Sequence, residues 1–171
     1  MSCLISNGIS RSCDFTVGGL QGSVWLTNLA DLGTISYDTD GQITGVTSGA
    51  TVWYEYQPEL NSASLTQSLQ AGQVSRFVQQ TLVFSVAALT QAKIKTLDDL
   101  ALTTLVGIVR GNDGNWYFVG DNGSAIKSTA LEVTSGAADT DDAVATVTLQ
   151  GSNKGHAPTI DSTILAAMGI A

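Results

Sequence analysis

The sequence predicts a mainly β protein, a β-sandwich or half-barrel of antiparallel strands with one short flanking α-helix. Three observations carry this. Apolar residues alternate with Thr, Ser and Gln at period two along most of the chain, as in strands buried on one face. Glycine-bearing turn clusters, Asp38-Thr39-Asp40-Gly41, Asn112-Asp113-Gly114-Asn115 and Asp121-Asn122-Gly123, punctuate those runs. Only one internal stretch, Thr90–Leu102, has helical spacing.

The elements follow in order. Gly18-Gly19 and Gly22 bracket Leu20 and lead into a strand over Gly22–Asn28, with Val24 and Leu26 on one side and Trp25 and Thr27 on the other. Thr34–Tyr37 and Gln42–Thr47 flank the Asp38–Gly41 turn as a hairpin. Thr51–Gln57 alternates Val52, Tyr54 and Tyr56 with Thr51, Trp53 and Glu55, and its aromatic residues suit a wide, well-packed sheet face. Pro58 ends that strand because it cannot donate a ladder hydrogen bond. Ser62–Gln70 alternates small polar residues with Ala63, Leu65 and Leu69, and Ala71-Gly72 turns into a long run, Gln73–Ala88. There Val78, Leu82, Phe84 and Val86 fall on one face, while Ser75, Gln79, Thr81 and Ser85 fall on the other with Phe77 and Val83 as exceptions. The run exceeds the usual ~5–6 residues of a strand, which favours a barrel wall or an arm reaching a neighbour.

Thr90 is the expected N-cap of the helix, on which Ile94, Leu97, Leu100 and Ala101 share the packing face. No capping box accompanies it, since Lys93 stands three residues on. A hairpin over Leu105–Gly120 follows, then strands over Thr129–Thr134 and, last, Ala143–Leu149. Ser135–Asp142 reads as an acidic loop, Gly151–Pro158 as flexible, and Ser162–Met168 as a short terminal helix or an extended tail. The expected organisation is an N-terminal arm over 1–17, a single β domain over 18–158, and a C-terminal tail or short helix over 159–171.

A chain of 171 residues can bury about two thirds of its unfolded surface in one domain. Charged residues make up 13%, against a usual ~25%. Two readings fit: a surface largely covered by copies of itself, or solvent faces built from neutral polar residues. The formal net charge of −8, from 15 acidic and 7 basic residues, argues against a chain that grips nucleic acid, which needs clustered Lys and Arg. It is compatible with a surface past which DNA slides. Neither a signal peptide nor an apolar span near ~20 residues is legible, so the expectation is a soluble product made in the host cytoplasm, with no membrane partner.

No chemistry emerges at useful spacing. Asp139, Asp141 and Asp142 lack the glycine and terminal glutamate of a calcium loop, and Asp38-Thr39-Asp40-Gly41 is too short for a ligand ring. His156 is the sole imidazole, with no nucleophile or orienting partner beside it in sequence. Cys3 and Cys13 read as free thiols, with a disulfide between them the less favoured alternative; Arg11 near Cys13 would lower that thiol's pKa only a little. Trp25, Trp53, Trp116, Tyr54 and Tyr117 could form a stacking platform, but without interleaved basic residues they suit core or subunit-interface packing better. No enzyme activity, cofactor or metal is expected.

The order from Ser75-Arg76-Phe77-Val78-Gln79-Gln80-Thr81-Leu82-Val83-Phe84-Ser85-Val86, through the helix, to Leu105-Val106-Gly107-Ile108-Val109-Arg110 and Gly111-Asn112-Asp113-Gly114-Asn115-Trp116-Tyr117-Phe118-Val119-Gly120 resembles that of the major tail tube proteins of tailed bacteriophages. The same fold recurs in the tube subunits of type VI secretion systems. The opening from Cys13 to Ala30, with Gly18-Gly19 and Val24-Trp25-Leu26-Thr27-Asn28, also looks like small structural proteins of Bacteroidetes phages. The resemblance implies a virion tail subunit that forms rings, usually of six, stacked into a tube whose inner strands join edge to edge around an acidic lumen for DNA. Other virion tail proteins would be its further partners. Phe77, Val78, Leu82, Phe84, Val86, Leu65 and Leu69 are the expected ring-interface residues. The N-terminal arm, Ser2–Val17, and the loops Gly33–Ala50 or Pro58–Leu69 would contact the next ring. A capsid decoration protein, a head–tail connector ring and a carbohydrate-binding or adhesion module are the alternatives.

Overall fold

The computed structural model describes residues 8–9, 17–47, 52–87, 89–121, 124–138 and 141–170. Cys3, Cys13, Asp139 and most of the expected N-terminal arm lie outside them. The described part is mainly β, with a mixed sheet and one helix longer than a single turn. The strands are β1 (Leu20–Asn28), β2 (Thr34–Tyr37), β3 (Ile43–Thr47), β4 (Tyr54–Tyr56), β5 (Ser64–Ala71) and β6 (Arg76–Ala87). After the helix α1 (Gln91–Leu102) come β7 (Thr104–Gly111), β8 (Trp116–Val119), β9 (Ile126–Thr134), β10 (Val144–Asn153) and β11 (Thr159–Ile160), then one turn of helix, α2 (Ser162–Leu165).

Everything is organised around β7. It pairs antiparallel with β1 along one side; along the other it pairs with β8 and, at Thr104 and Leu105 only, with β9. Beyond that corner β9 continues into β10, β6 and β5, so one hydrogen-bonded sheet folds over itself. Five consecutive residues, Leu105 to Val109, are buried, because β7 is covered on both faces. Leu105 and Val109, with Val24, Leu26 and Val119, face a cluster completed by Leu82, Phe84, Val147, Leu149, Leu97 and Leu100. Val106, Ile108 and Phe118 face a second cluster with Ile43, Ile160, Leu165 and Ile170. Three layers result: the wall β9–β10–β6–β5 with α1, the central strands β1, β7 and β8, and a cover of β2, β3, β11 and the C-terminal helical turns.

Local chemistry explains the connections. Thr90 caps α1 by accepting from Lys93 N at 3.3 Å. In the β7–β8 turn, Asp113 Oδ1 accepts from Asn115 N at 3.1 Å, and Gly114 takes φ +86°, a left-handed conformation that side chains resist. Asp38 Oδ1 likewise accepts from Asp40 N and Gln42 N at 3.0 and 2.8 Å, fixing the β2–β3 turn. Gly151 is required by close approach: a Cβ there would sit 2.9 Å from Ala125 O.

Several boundaries differ from expectation. Of the described residues within the expected Thr51–Gln57, β4 keeps only Tyr54–Tyr56, since it meets β1 through just three register pairs. β6 begins at Arg76 rather than Gln73, because 72–75 form the β5–β6 turn closed by Gly72 N to Ser75 O, 2.8 Å. β9 begins at Ile126, three residues early, where it meets β7. β10 runs on to Asn153, through part of the stretch read as flexible, because β6 is long enough to pair with it to Val78. It is not the last strand: β11 pairs with both β8 and β3. Ile160, Leu165 and Ile170 are buried at 4, 4 and 1% exposure, so 159–170 completes the second cluster instead of trailing from the domain.

Candidate functional site

Among the described residues, the wall β9–β10–β6–β5 is covered on one face and open on the other. Across it, Ser64–Val83–Thr148–Ala130 and Thr66–Thr81–Gln150–Lys127 run in register. Rows of hydroxyls and amides therefore share the uncovered face. Ser85 Oγ and Thr146 Oγ1 hydrogen-bond at 2.9 Å, and Gln79 Nε2 donates to Gln150 Oε1 at 3.2 Å. The strand register puts one carboxylate, Glu132, and one ammonium, Lys127, on this face. Most of the described carboxylates sit instead in turns, loops and the helix, where Asp38, Asp40, Glu59, Asp98, Asp99, Asp113, Asp141 and Asp142 are exposed. An acidic lumen therefore finds no counterpart on the open face of this wall.

The wall has two margins. β5, eight residues reading SLTQSLQA, pairs among the described residues with β6 alone and carries no charge and no proline. The Gly72–Ser75 bond sets its alternation: Ser64, Thr66, Ser68 and Gln70 direct backbone groups at β6, and Leu65, Gln67, Leu69 and Ala71 direct theirs outward. At the other margin, Thr129–Thr134 of β9 pairs only with β10 among the described residues, with α1 packed nearby.

The seven expected interface residues separate into two groups. Val78, Leu82 and Phe84 are 4, 0 and 0% exposed, and Leu82 and Phe84 pack in one cluster with the central strands of their own chain. Leu65 and Val86 are half-buried against the same cluster, and Phe84 meets Tyr56 with ring centroids 5.9 Å apart. That corrects the assignment: the apolar face of β6 has its partner within the molecule. Leu69 and Phe77 remain exposed, at 63 and 37%. On α1, Leu97 and Leu100 are buried, and Ile94 and Ala101 are half-buried.

The aromatic residues form no platform. Trp25, Trp53 and Trp116 are half-buried against the second cluster, Trp53 edge-on to Phe118 at 6.2 Å, and Arg110 lies 5.6 Å over Trp116. Tyr117 is half-buried on the opposite side of β8, donating to Asp113 Oδ2 at 2.6 Å, and Tyr54 is exposed at the β4 edge. A stacking surface for sugars needs such rings side by side and bare, and these five are not so arranged.

One arrangement escaped sequence reasoning. Asp121, at the β8–β9 corner, is 4% exposed and meets Asn153 of β10, whose Nδ2 donates to its Oδ1 and, at 3.2 Å, to its main-chain oxygen. Tyr37 of β2 donates to Asp121 Oδ2 at 3.4 Å. Nearby, Gln80 accepts from Gly120 N at 3.0 Å and donates to Gly155 O at 3.3 Å. Burial raises the Asp121 carboxyl above the usual carboxylate range, and the bonds from Asn153 and Tyr37 oppose that rise. Among the described residues every buried side-chain nitrogen and oxygen has a partner, so this knot is a joint linking layers. The turn carboxylates shift the other way: Tyr117 lowers Asp113, and the amides of Ala137 and Ala138 lower Asp141.

His156 is exposed, and among the described residues no group of three or more His, Cys, Asp or Glu could hold a metal ion. No described helix is long and apolar enough to cross a membrane. No protein-family model matches the chain, and comparison with curated proteins finds no match.

Proposed function

We propose that this chain is a structural virion subunit. Its copies join edge to edge into rings, and the rings stack into a phage tail tube through which DNA passes. The observation that carries this reading is the β5 margin, which no described strand pairs with. An eight-residue edge strand without charge or proline is a template for strand addition, which monomeric proteins ordinarily block. Pairing β5 of one copy with the Thr129–Thr134 margin of β9 in the next would satisfy both rows of outward backbone groups. Each copy would then contribute four strands to a continuous wall, and a contact between such unlike margins closes as a ring when the rotation from copy to copy returns on itself.

In this assembly the open face lines the channel, and its hydroxyls and amides make the lumen neutral and polar. With one ammonium per copy on that face, passing DNA finds no row of cations to hold its phosphates. The resemblance to tail tube subunits agrees with this role, and other tail proteins would cap the ends. Electron microscopy and sedimentation of the purified chain test the reading. Rings or tubes are expected; a compact monomer at millimolar concentration would sink it.

A further inference from the structure

Two unlike patches lie at opposite ends of β6. At its start, the β5–β6 turn exposes Leu69, Val74 and Phe77, Val74 at 97%, with Arg76 exposed beside them. At its end, a cavity of about 610 Å³ opens between the β4–β5 connection and the first turns of α1. Tyr56, Pro58, Val86 and Leu97 line it, and it carries two exposed carboxylates, Glu55 and Glu59. Its one cation, Lys93, donates through Nζ to Ala87 O at 3.1 Å and is held against the end of the strand.

We propose that the β5–β6 turn of one copy seats in this cavity of the next, head to tail along the strand axis. Chemistry selects this occupant, because an apolar tip with one cation meets an apolar pocket with two carboxylates. Exposed apolar side chains grouped at a turn are also costly to leave in water and mark a contact surface. Direction agrees. β6 has 12 residues, so tip and cavity lie roughly 36 Å apart at ~3.3 Å per residue. Displacing a copy by about that length along β6 brings its tip to its neighbour's cavity. A contact between unlike surfaces that does not close on itself propagates as a stack. The partner, another copy, rests on the assembly reading above, but this contact joins successive rings and is separate from the β5–β9 joint within a ring.

Disulfide trapping tests it. Cys3 and Cys13 are replaced by Ser, and Val74→Cys and Ala92→Cys are introduced together; Ala92 lines the cavity and is exposed. Oxidation should give a ladder of covalent oligomers, whereas either single-cysteine chain stops at the dimer. Arg76→Glu should cut the ladder at least tenfold, and adding Glu59→Arg should restore it. Glu59, Val74, Arg76 and Ala92 are exposed, and unchanged thermal melting verifies folding. No species beyond the dimer, or a ladder indifferent to Arg76→Glu, overturns the proposal. Microscopy of the same samples keeps the two readings apart. Rings or tubes without the 74–92 link refute the axial contact alone, and a ladder in single-file filaments refutes the ring alone.

Discussion

Leu69→Lys puts an ammonium on the outer margin of β5 without touching the core. Leu69 is 63% exposed, so folding buries only about a third of it. Full burial of a leucine is worth ~1.5–3 kcal/mol, so the isolated subunit should lose roughly 0.5–1 kcal/mol, less if the lysine stem covers the same carbons. Assembly should respond quite differently. Leu69 directs its backbone groups outward, into the row that a neighbouring strand would pair with. A lysine in that joint loses water on pairing, which costs several kcal/mol per uncompensated ion. A loss of ~3 kcal/mol per joint already corresponds to a factor of about 100 in association. Urea unfolding of the dissociated subunit measures the first quantity, and the sedimentation threshold for assembly measures the second. A small shift in stability with at least a hundredfold rise in the assembly threshold is expected. If the variant assembles at the wild-type threshold, the β5 margin is not the joint.

Two further outcomes probe the interior. Phe84→Ala empties a fully buried site that packs on Tyr56 and should cost ~3–5 kcal/mol in chemical denaturation; a loss below ~1 kcal/mol would mean the wall face is not covered as described. Asp121→Asn should be at least as stable as wild type at pH 7. The folded-state pKa of Asp121 is raised, so its protonated form is favoured in the fold, and stability is lost as pH climbs from the unfolded value near ~3.9 through the higher folded one. The advantage of the amide should therefore disappear below about pH 4, where both side chains are neutral. Thermal melts across pH 3.5–8 check this, and a variant selectively weaker at neutral pH would show that the fold favours the charged carboxylate.

Local patterns carried much of the architecture. Alternation located β1, β2, β3, β5 and β6, and Thr90 marked the start of α1 because an N-cap is a nearest-neighbour effect. What alternation cannot tell is whose atoms cover an apolar face. Leu82 and Phe84 look the same in sequence whether a neighbouring subunit or the chain's own β1, β7 and β8 lie over them. β11 was invisible because two residues have no period, and its pairing joins β3 to β8 from more than forty positions away. The Asp121 joint brings together residues from three distant strands and the β8–β9 corner, and its only local trace was a turn motif, Asp121-Asn122-Gly123, with no hint of burial.

β7 supplies residues to both apolar clusters, and neither cluster can dissolve without baring one side of it. The two halves of this protein are thus denied independent melting. Heat or denaturant should take them in a single transition, and any partly opened form has to keep this central ribbon wrapped while only the periphery loosens.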